Sequence, residues 1–198
     1  MWKAAHRRTI PAAALCVALC LMALANGPVA AVQETSGQEI RVPVTRDTWF
    51  SNVGDEANCN TGASSRLKLK SIQEMSLLDI DPAPLRGHVI RSATLHLRVA
   101  GNEVAKRVTV STFASPWVEG SAPRYAPQEG SSTHNARRHP NVPWAYPGSD
   151  LTAVMLGQGG TMWRMADASP PDKDGWQVIP VDPRILSART AGISYPVF

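Results

Sequence analysis

The sequence is poor in cysteine. Of three among 198 residues, Cys16 and Cys20 fall in an apolar N-terminal stretch and leave Cys59 alone in the remainder. A single thiol closes no internal bridge, which excludes a disulfide-stapled scaffold. No C-x-x-C pair or Cys/His spacing is present, which excludes a structural zinc site. Between Asn58 and Asn60, Cys59 is expected to be a small buried side chain rather than a reactive one. Long apolar runs are missing too. The longest, Ala12–Ala25, is shorter than the ~20 residues that span a bilayer, and no second one follows. An amphipathic helix longer than Pro183–Thr190 is absent, and no stretch repeats another.

What the N-terminus does contain is Lys3, Arg7 and Arg8 without an acid, then the apolar stretch, then small residues at Ala23-Leu24-Ala25 and Val29-Ala30-Ala31. That order is expected of a cleaved secretory signal over residues 1–31. Leu19 before Cys20 argues against a lipoprotein signal. Past Ala31 the formal charge is 17 basic against 16 acidic side chains, or +1, compared with +4 for the whole chain. A nucleic-acid footprint needs clustered basic charge, so that class is excluded. The 167 residues that remain are enough for one core and one domain. Val32–Gln38 is polar and expected to be a linker, with the domain at residues 39–198, secreted or held at the cell surface.

The domain is patterned for strands. Ala93, Leu95, Leu97 and Val99 alternate with Ser92, Thr94, His96 and Arg98, the period of a half-buried strand. Arg66–Lys70 and Arg107–Phe113 alternate likewise, and Glu39–Val44, Ser76–Ile80, Thr161–Met165, Trp176–Val181 and Ile193–Phe198 are further candidates. Asp81-Pro82-Ala83-Pro84 and Ala100-Gly101-Asn102 are breakers between them, and Pro183 can open a short helix. Short strands with turn signals between them predict an all-β, antiparallel fold, a sandwich or barrel. Gly120–Gly160 breaks the rhythm with Gly, Pro, Ser, Asn and aromatic residues. A loop of that length is commonly a functional one.

No placed catalytic set is evident. His88, His96, His134 and His139 are present, but no G-x-S-x-G elbow accompanies them. Asp79 with Asp81, and Asp172 with Asp174, are expected to be turn acids rather than the flanking carboxylates of a glycosidase. Binding asks for less. An aromatic face and a few polar groups hold a sugar ring, and guanidinium forks pair the carboxylates of an acidic one. Trp144, Tyr146, Arg137 and Arg138 lie close together in the long loop, with Tyr125 and His134 nearby. Trp144 is equally readable as a plug in the end of the fold. Trp117 is expected to be such a plug, and Trp49, Trp163 and Trp176 to be core.

Four stretches carry a family resemblance. Asp47-Thr48-Trp49-Phe50 with Asn60-Thr61-Gly62 and Leu67-Lys68-Leu69 is the first, and Val89 to Leu97 is the second. Ser115-Pro116-Trp117-Val118-Glu119-Gly120 is the third. Ser132 to Arg137 with Pro143-Trp144 and Pro147-Gly148-Ser149-Asp150 is the fourth. In this order they resemble the DNRLRE-domain family, secreted β-sandwich modules related to alginate-type carbohydrate-binding modules. His134 departs from that pattern, where a Trp is usual. So does the chain after Tyr195-Pro196-Val197-Phe198, where a glycine and a last apolar strand are usual; this implies a truncated closing strand. The resemblance implies a jelly-roll sandwich and a non-catalytic module binding an extracellular polysaccharide, including an acidic one. A structural or adhesive domain of a surface protein is the alternative, and a polysaccharide lyase using His, Tyr, Arg and Asn a second one. Modules of this type often hold a structural calcium, for which Asp47, Asp55 and Glu56 are the nearest candidates; six or more oxygens would be required.

Overall fold

The computed structural model describes residues 37–157, 163–193 and 195–197. The expected secretory signal (residues 1–31) and residues 32–36 of the expected linker lie outside them. Residues Glu39–Phe198 form one compact unit. Seven strands form: β1 (Val44–Ser51), β2 (Glu74–Ile80), β3 (Ala93–Arg98), β4 (Arg107–Phe113), β5 (Trp163–Asp167), β6 (Trp176–Val181) and β7 (Tyr195–Val197). Two short helices, α1 (Leu151–Gly157) and α2 (Pro183–Thr190), and 3-10 turns at Gly54–Asn58 and Ala83–Leu85 complete the elements. The fold is all-β, and every pairing between these strands is antiparallel. One sheet has the order β1-β2-β7-β4-β5 and the other pairs β3 with β6.

The alternating pattern places β3, β4 and β6 close to where they form. It fails in two places. Arg66–Lys70 is extended but bridges only at Lys70, to Ile72 and Glu74, because Lys68 turns to Tyr125 and Glu74 instead of a neighbouring strand. Glu39–Val44 is mostly outside the ladder, and the first strand begins at Val44. From there, Thr48–Ser51 are buried on both faces. β2 is buried over Met75–Asp79, so neither segment shows a polar face. The apolar helix α1 has no counterpart in the expected elements.

Two apolar clusters fill the interior. One gathers Phe50, Met75, Leu77, Phe113, Trp117, Trp144, Leu151 and Val154. It therefore joins β1, β2 and β4 to the long loop and α1. The other packs Val108 and Val110 of β4 against Ile179 and Val181 of β6 and Ile185 of α2, with Ala93, Leu95 and Leu97 of β3 alongside. The two sheets share that second cluster. The outer edge of β1 is covered by side chains: the Asp47 N–H donates to Glu119 Oε1 at 2.8 Å, the Trp49 N–H donates to Thr61 Oγ1 at 3.2 Å, and the Thr61 hydroxyl donates to the Trp49 carbonyl. Satisfied edge groups offer no template to another chain.

A buried carboxylate fastens the far end of β2. Asp79, 3% exposed, accepts from Arg189 Nε of α2 at 2.6 Å and from Arg46 Nη2 of β1 at 2.6 Å. Arg46 also lies 4.3 Å from the Trp117 ring centroid. Burial alone would raise this carboxyl, but the hydrogen bonds from Arg189 and then Arg46 outweigh it and hold Asp79 below its ordinary value. At the start of α2, Asp182 caps the Arg184 N–H at 3.0 Å and accepts the Arg184 guanidinium at 2.6 Å. Those bonds lower its carboxyl to about 2.

Two outcomes follow for stability. Asp79→Asn leaves two guanidinium groups facing a neutral side chain at a buried point. Breaking such a cluster costs about 3 kcal/mol or more, and urea unfolding of the variant reads the loss. The pH dependence has a fixed sign. Both carboxyls titrate lower folded than unfolded, where an aspartate lies near ~3.9. The stability they add is complete above that value and is lost as pH falls toward about 2 for Asp182. Tm measured from pH 5 downward therefore drops, and Asp182→Asn flattens part of the slope; an unchanged slope contradicts this assignment.

Candidate ligand cleft

The long loop has few ladder bonds, so its shape is set by buried side chains. Asn60, fully buried, is the first of them. Its Nδ2 donates to the carbonyls of Glu119 at 2.7 Å and Ser132 at 2.9 Å. Its Oδ1 accepts from Gly62 N at 3.0 Å and Ala122 N at 3.3 Å, and its own N–H donates to Ala126 O at 2.8 Å. The neighbouring glycines make room. A Cβ at Gly62 would lie 2.0 Å from the Glu119 carbonyl oxygen, and one at Gly120, where φ is +76°, would lie 2.3 Å from Asn60 Oδ1. The N-x-G and W-x-E-G stretches are thus two halves of one joint.

The second organiser is Trp144. It is 3% exposed, edge-on to Phe50 and Phe113 with centroids at 6.2 and 5.4 Å. Its Nε1 donates to the carbonyls of Thr133 and His134, both at 3.0 Å. His134 is buried, with one ring nitrogen bonded to Asn135 Oδ1 and the other to Thr152 Oγ1, each at 3.2 Å. Its carbonyl also receives the Leu151 N–H at 2.8 Å, at the start of α1. Ser149 Oγ accepts from Ala145 N and Tyr146 N at 2.7 and 2.9 Å, which closes the Tyr146–Ser149 turn. Arg138 and Val142 exchange two backbone bonds around the Pro140-Asn141 tip.

Between that tip and the Tyr146–Ser149 turn lies an open cleft of about 530 Å³. Pro140, Pro143 and Pro147 give it stiff walls. Asn135, Asn141, Ser149 and Asp150 supply polar groups, with Gly148 between them. Asp150 also caps α1, accepting from Ala153 N at 3.0 Å. Tyr146 is 54% exposed on the turn beside Pro147.

The structure sorts the six candidate binding residues. Tyr146 is exposed and precedes the lining residue Pro147, but does not itself line the cleft. Trp144 and His134 are beneath it and buried, so neither offers a face to a ligand; Trp144 is the plug. Arg137 and Arg138 do not line the cleft. Arg137 is half-buried and gives its carbonyl to Ser132 Oγ at 2.7 Å, and Arg138 is exposed at the base of the hairpin. Tyr125 packs edge-on to Trp49 with centroids at 5.1 Å and accepts from Lys68 Nζ at 2.8 Å. Asn135, Asn141 and Ser149, not among the candidate binding residues, line the cleft instead; Asn135 and Ser149 fall in the fourth stretch of the resemblance, and Asn141 is marked only by the Pro- and Asn-rich segment. Trp176, expected in the core, is 43% exposed.

The cleft lining has one carboxylate and no histidine, lysine or arginine. A two-carboxylate hydrolysis and a base-plus-neutraliser elimination have no pair to use among the lining residues. The calcium candidates do not converge either. Among the described residues no three His, Cys, Asp or Glu side chains gather as a metal site. Asp47 faces Glu119, and burial first and that carboxylate second raise its carboxyl. Asp55 and Glu56 sit apart on the Gly54–Asn58 turn. Cys59 is half-buried above that turn, with its thiol raised by burial and by those two acids, which makes it a poor nucleophile. No family model, no curated protein and no solved structure matches this chain.

Asn60→Ala strips partners from the buried Ser132 carbonyl and Ala122 N–H and from the half-buried Glu119 carbonyl and Gly62 N–H. At about 1 kcal/mol or more for each orphan, a total loss of about 3 kcal/mol is expected, together with increased amide hydrogen exchange at Ala122 and Ser132. A variant as stable as the parent would show that the joint does not hold the loop.

Proposed function

We propose that this chain is exported by its N-terminal signal and acts outside the cytoplasm as a non-catalytic module that binds an extracellular polysaccharide. The fold that carries it is proposed to be a β-sandwich of jelly-roll type. Its support is the apolar cluster to which both sheets contribute. The observation behind the binding role is the cleft: proline walls that need no ordering on binding and carboxamide and hydroxyl groups at Asn135, Asn141 and Ser149, with the exposed Tyr146 next in the chain to the lining residue Pro147. Preformed sites with a few placed polar groups bind with little ordering cost. A lining without a cation favours a neutral, hydroxyl-rich stretch of polymer there.

Affinity electrophoresis of the secreted protein through gels containing soluble neutral and acidic glycans tests this. Retardation by at least one neutral glycan is expected. Asn141→Ala and Tyr146→Ala should each weaken it about three- to tenfold, the range of a net hydrogen bond of ~0.5–1.5 kcal/mol. Free migration through every glycan gel overturns the reading.

A further inference from the structure

Away from the cleft, the outward face of the β3–β6 ribbon carries a second arrangement. The register sets Arg98 opposite Trp176, His96 opposite Val178 and Thr94 opposite Pro180. The intervening pairs, such as Leu95 with Ile179, turn inward to the shared cluster. Trp176 is 43% exposed, and Arg98, His96 and Thr94 are exposed as well. From Thr94 to Arg98 the strip runs about 13 Å at the usual strand rise.

The aromatic is held in place. The Asp172 carboxylate accepts from Trp176 N at 2.8 Å and Asp174 N at 2.9 Å, and Asp172 N donates to Trp176 O at 2.9 Å. A large apolar ring fixed by its backbone but left in water gains nothing for the core. Its indole N–H has no hydrogen-bond partner among the described residues. Arg98 is held too. Its Nε donates to the Asp174 carbonyl at 3.1 Å, and its Cγ lies 3.9 Å from where a Cβ at Gly175 would be. The nearby acid Asp174 pairs with Lys173 at 3.7 Å, and no carboxylate pairs with Arg98. Both terminal nitrogens of its fork therefore remain open.

We infer that the Trp176–Arg98 face is a binding platform for an acidic pyranose ring, a uronate unit of a polysaccharide, with the ring against the indole and its carboxylate in the Arg98 fork. Charge complementarity selects this occupant: an oriented cation lacking an anion beside an exposed aromatic suits a flat ligand bearing one carboxylate. His96, bonded to Thr94 Oγ1 at 3.2 Å, extends the polar strip along the polymer. The inference rests on the reading of the chain as a polysaccharide binder, but assigns the acid-recognising element to a different face from the cleft.

Titration of the 15N-labelled secreted protein with sodium glucuronate, and separately with glucose, tests the platform independently of the cleft. The indole resonance of Trp176, assigned by its loss in Trp176→Phe, should shift with glucuronate and shift at least about tenfold more weakly with glucose. Arg98→Gln should remove that difference while leaving the rest of the spectrum in place, which also shows that the variant folds. Rising salt should weaken the glucuronate response. A glucuronate response confined to Tyr146, Asn135 and Asn141 overturns the platform and keeps the cleft. No response at either place overturns the platform, and the gel experiment then judges the cleft separately. A Trp176 shift unchanged by Arg98→Gln overturns the role given to the fork.

Discussion

The carboxamide of Asn60 is the interaction on which the rest of the loop architecture depends. The chain between β4 and β5 has almost no ladder, and its backbone groups still need partners once water is excluded. A side-chain amide presents two donors and an acceptor in one plane, and here it binds both carbonyls and N–H groups from three separate stretches. Aspartate would place charge against the carbonyls of Glu119 and Ser132. The glycines at 62 and 120 then follow from geometry, since a methyl at either would occupy space already taken by the joint. With this point fixed, Trp144 can be driven into the core with its N–H satisfied, and the proline-rich turns above it inherit a rigid base.

Electrostatics does the corresponding work where β1, β2 and α2 meet. Asp79 ties β1, β2 and α2 through two guanidinium groups, while Arg46 also stacks on Trp117 beneath the W-x-E-G turn. The two organisers are therefore coupled through one arginine: the turn that receives Asn60 begins with the indole that packs under Arg46. Polar groups hold this structure in register where its short strands, some only three to five residues long, bury too little to do so.

What was legible in the sequence divides along burial. Where one face of a strand is wet, as in β3, the period of two shows it. Where both faces are dry, as over Thr48–Ser51 and Met75–Asp79, the pattern vanishes and only neighbouring breakers mark the element. Trp176 was misplaced because its apolar neighbours alternate like core residues, and no local signal tells which of two alternating faces is covered. Trp144 and His134 drew attention as binding groups because aromatic and imidazole side chains in a loop look available. Their burial depends on Thr133, Thr152 and Phe113, which are distant in sequence or chemically unremarkable. Helix α1 was missed because a seven-residue apolar stretch among Gly and Pro carries less than two helical turns of periodicity.

The position of β7 has a consequence for how the chain reaches this state. The last described strand lies in the middle of the larger sheet, between β2 and β4, and touches β2 through a single residue pair, Leu77 with Val197. The β1–β2 pair is the more local of the two, β4–β5 closes across the whole long loop, and neither can complete the sheet alone. Their union requires contacts spanning well over a hundred residues, whose loop-closure entropy must be met before any hydrogen bond rewards it. Within the larger sheet the β1–β2 and β4–β5 ribbons are joined in the ladder through β7, so the short segment Tyr195–Val197 is what makes one sheet of two.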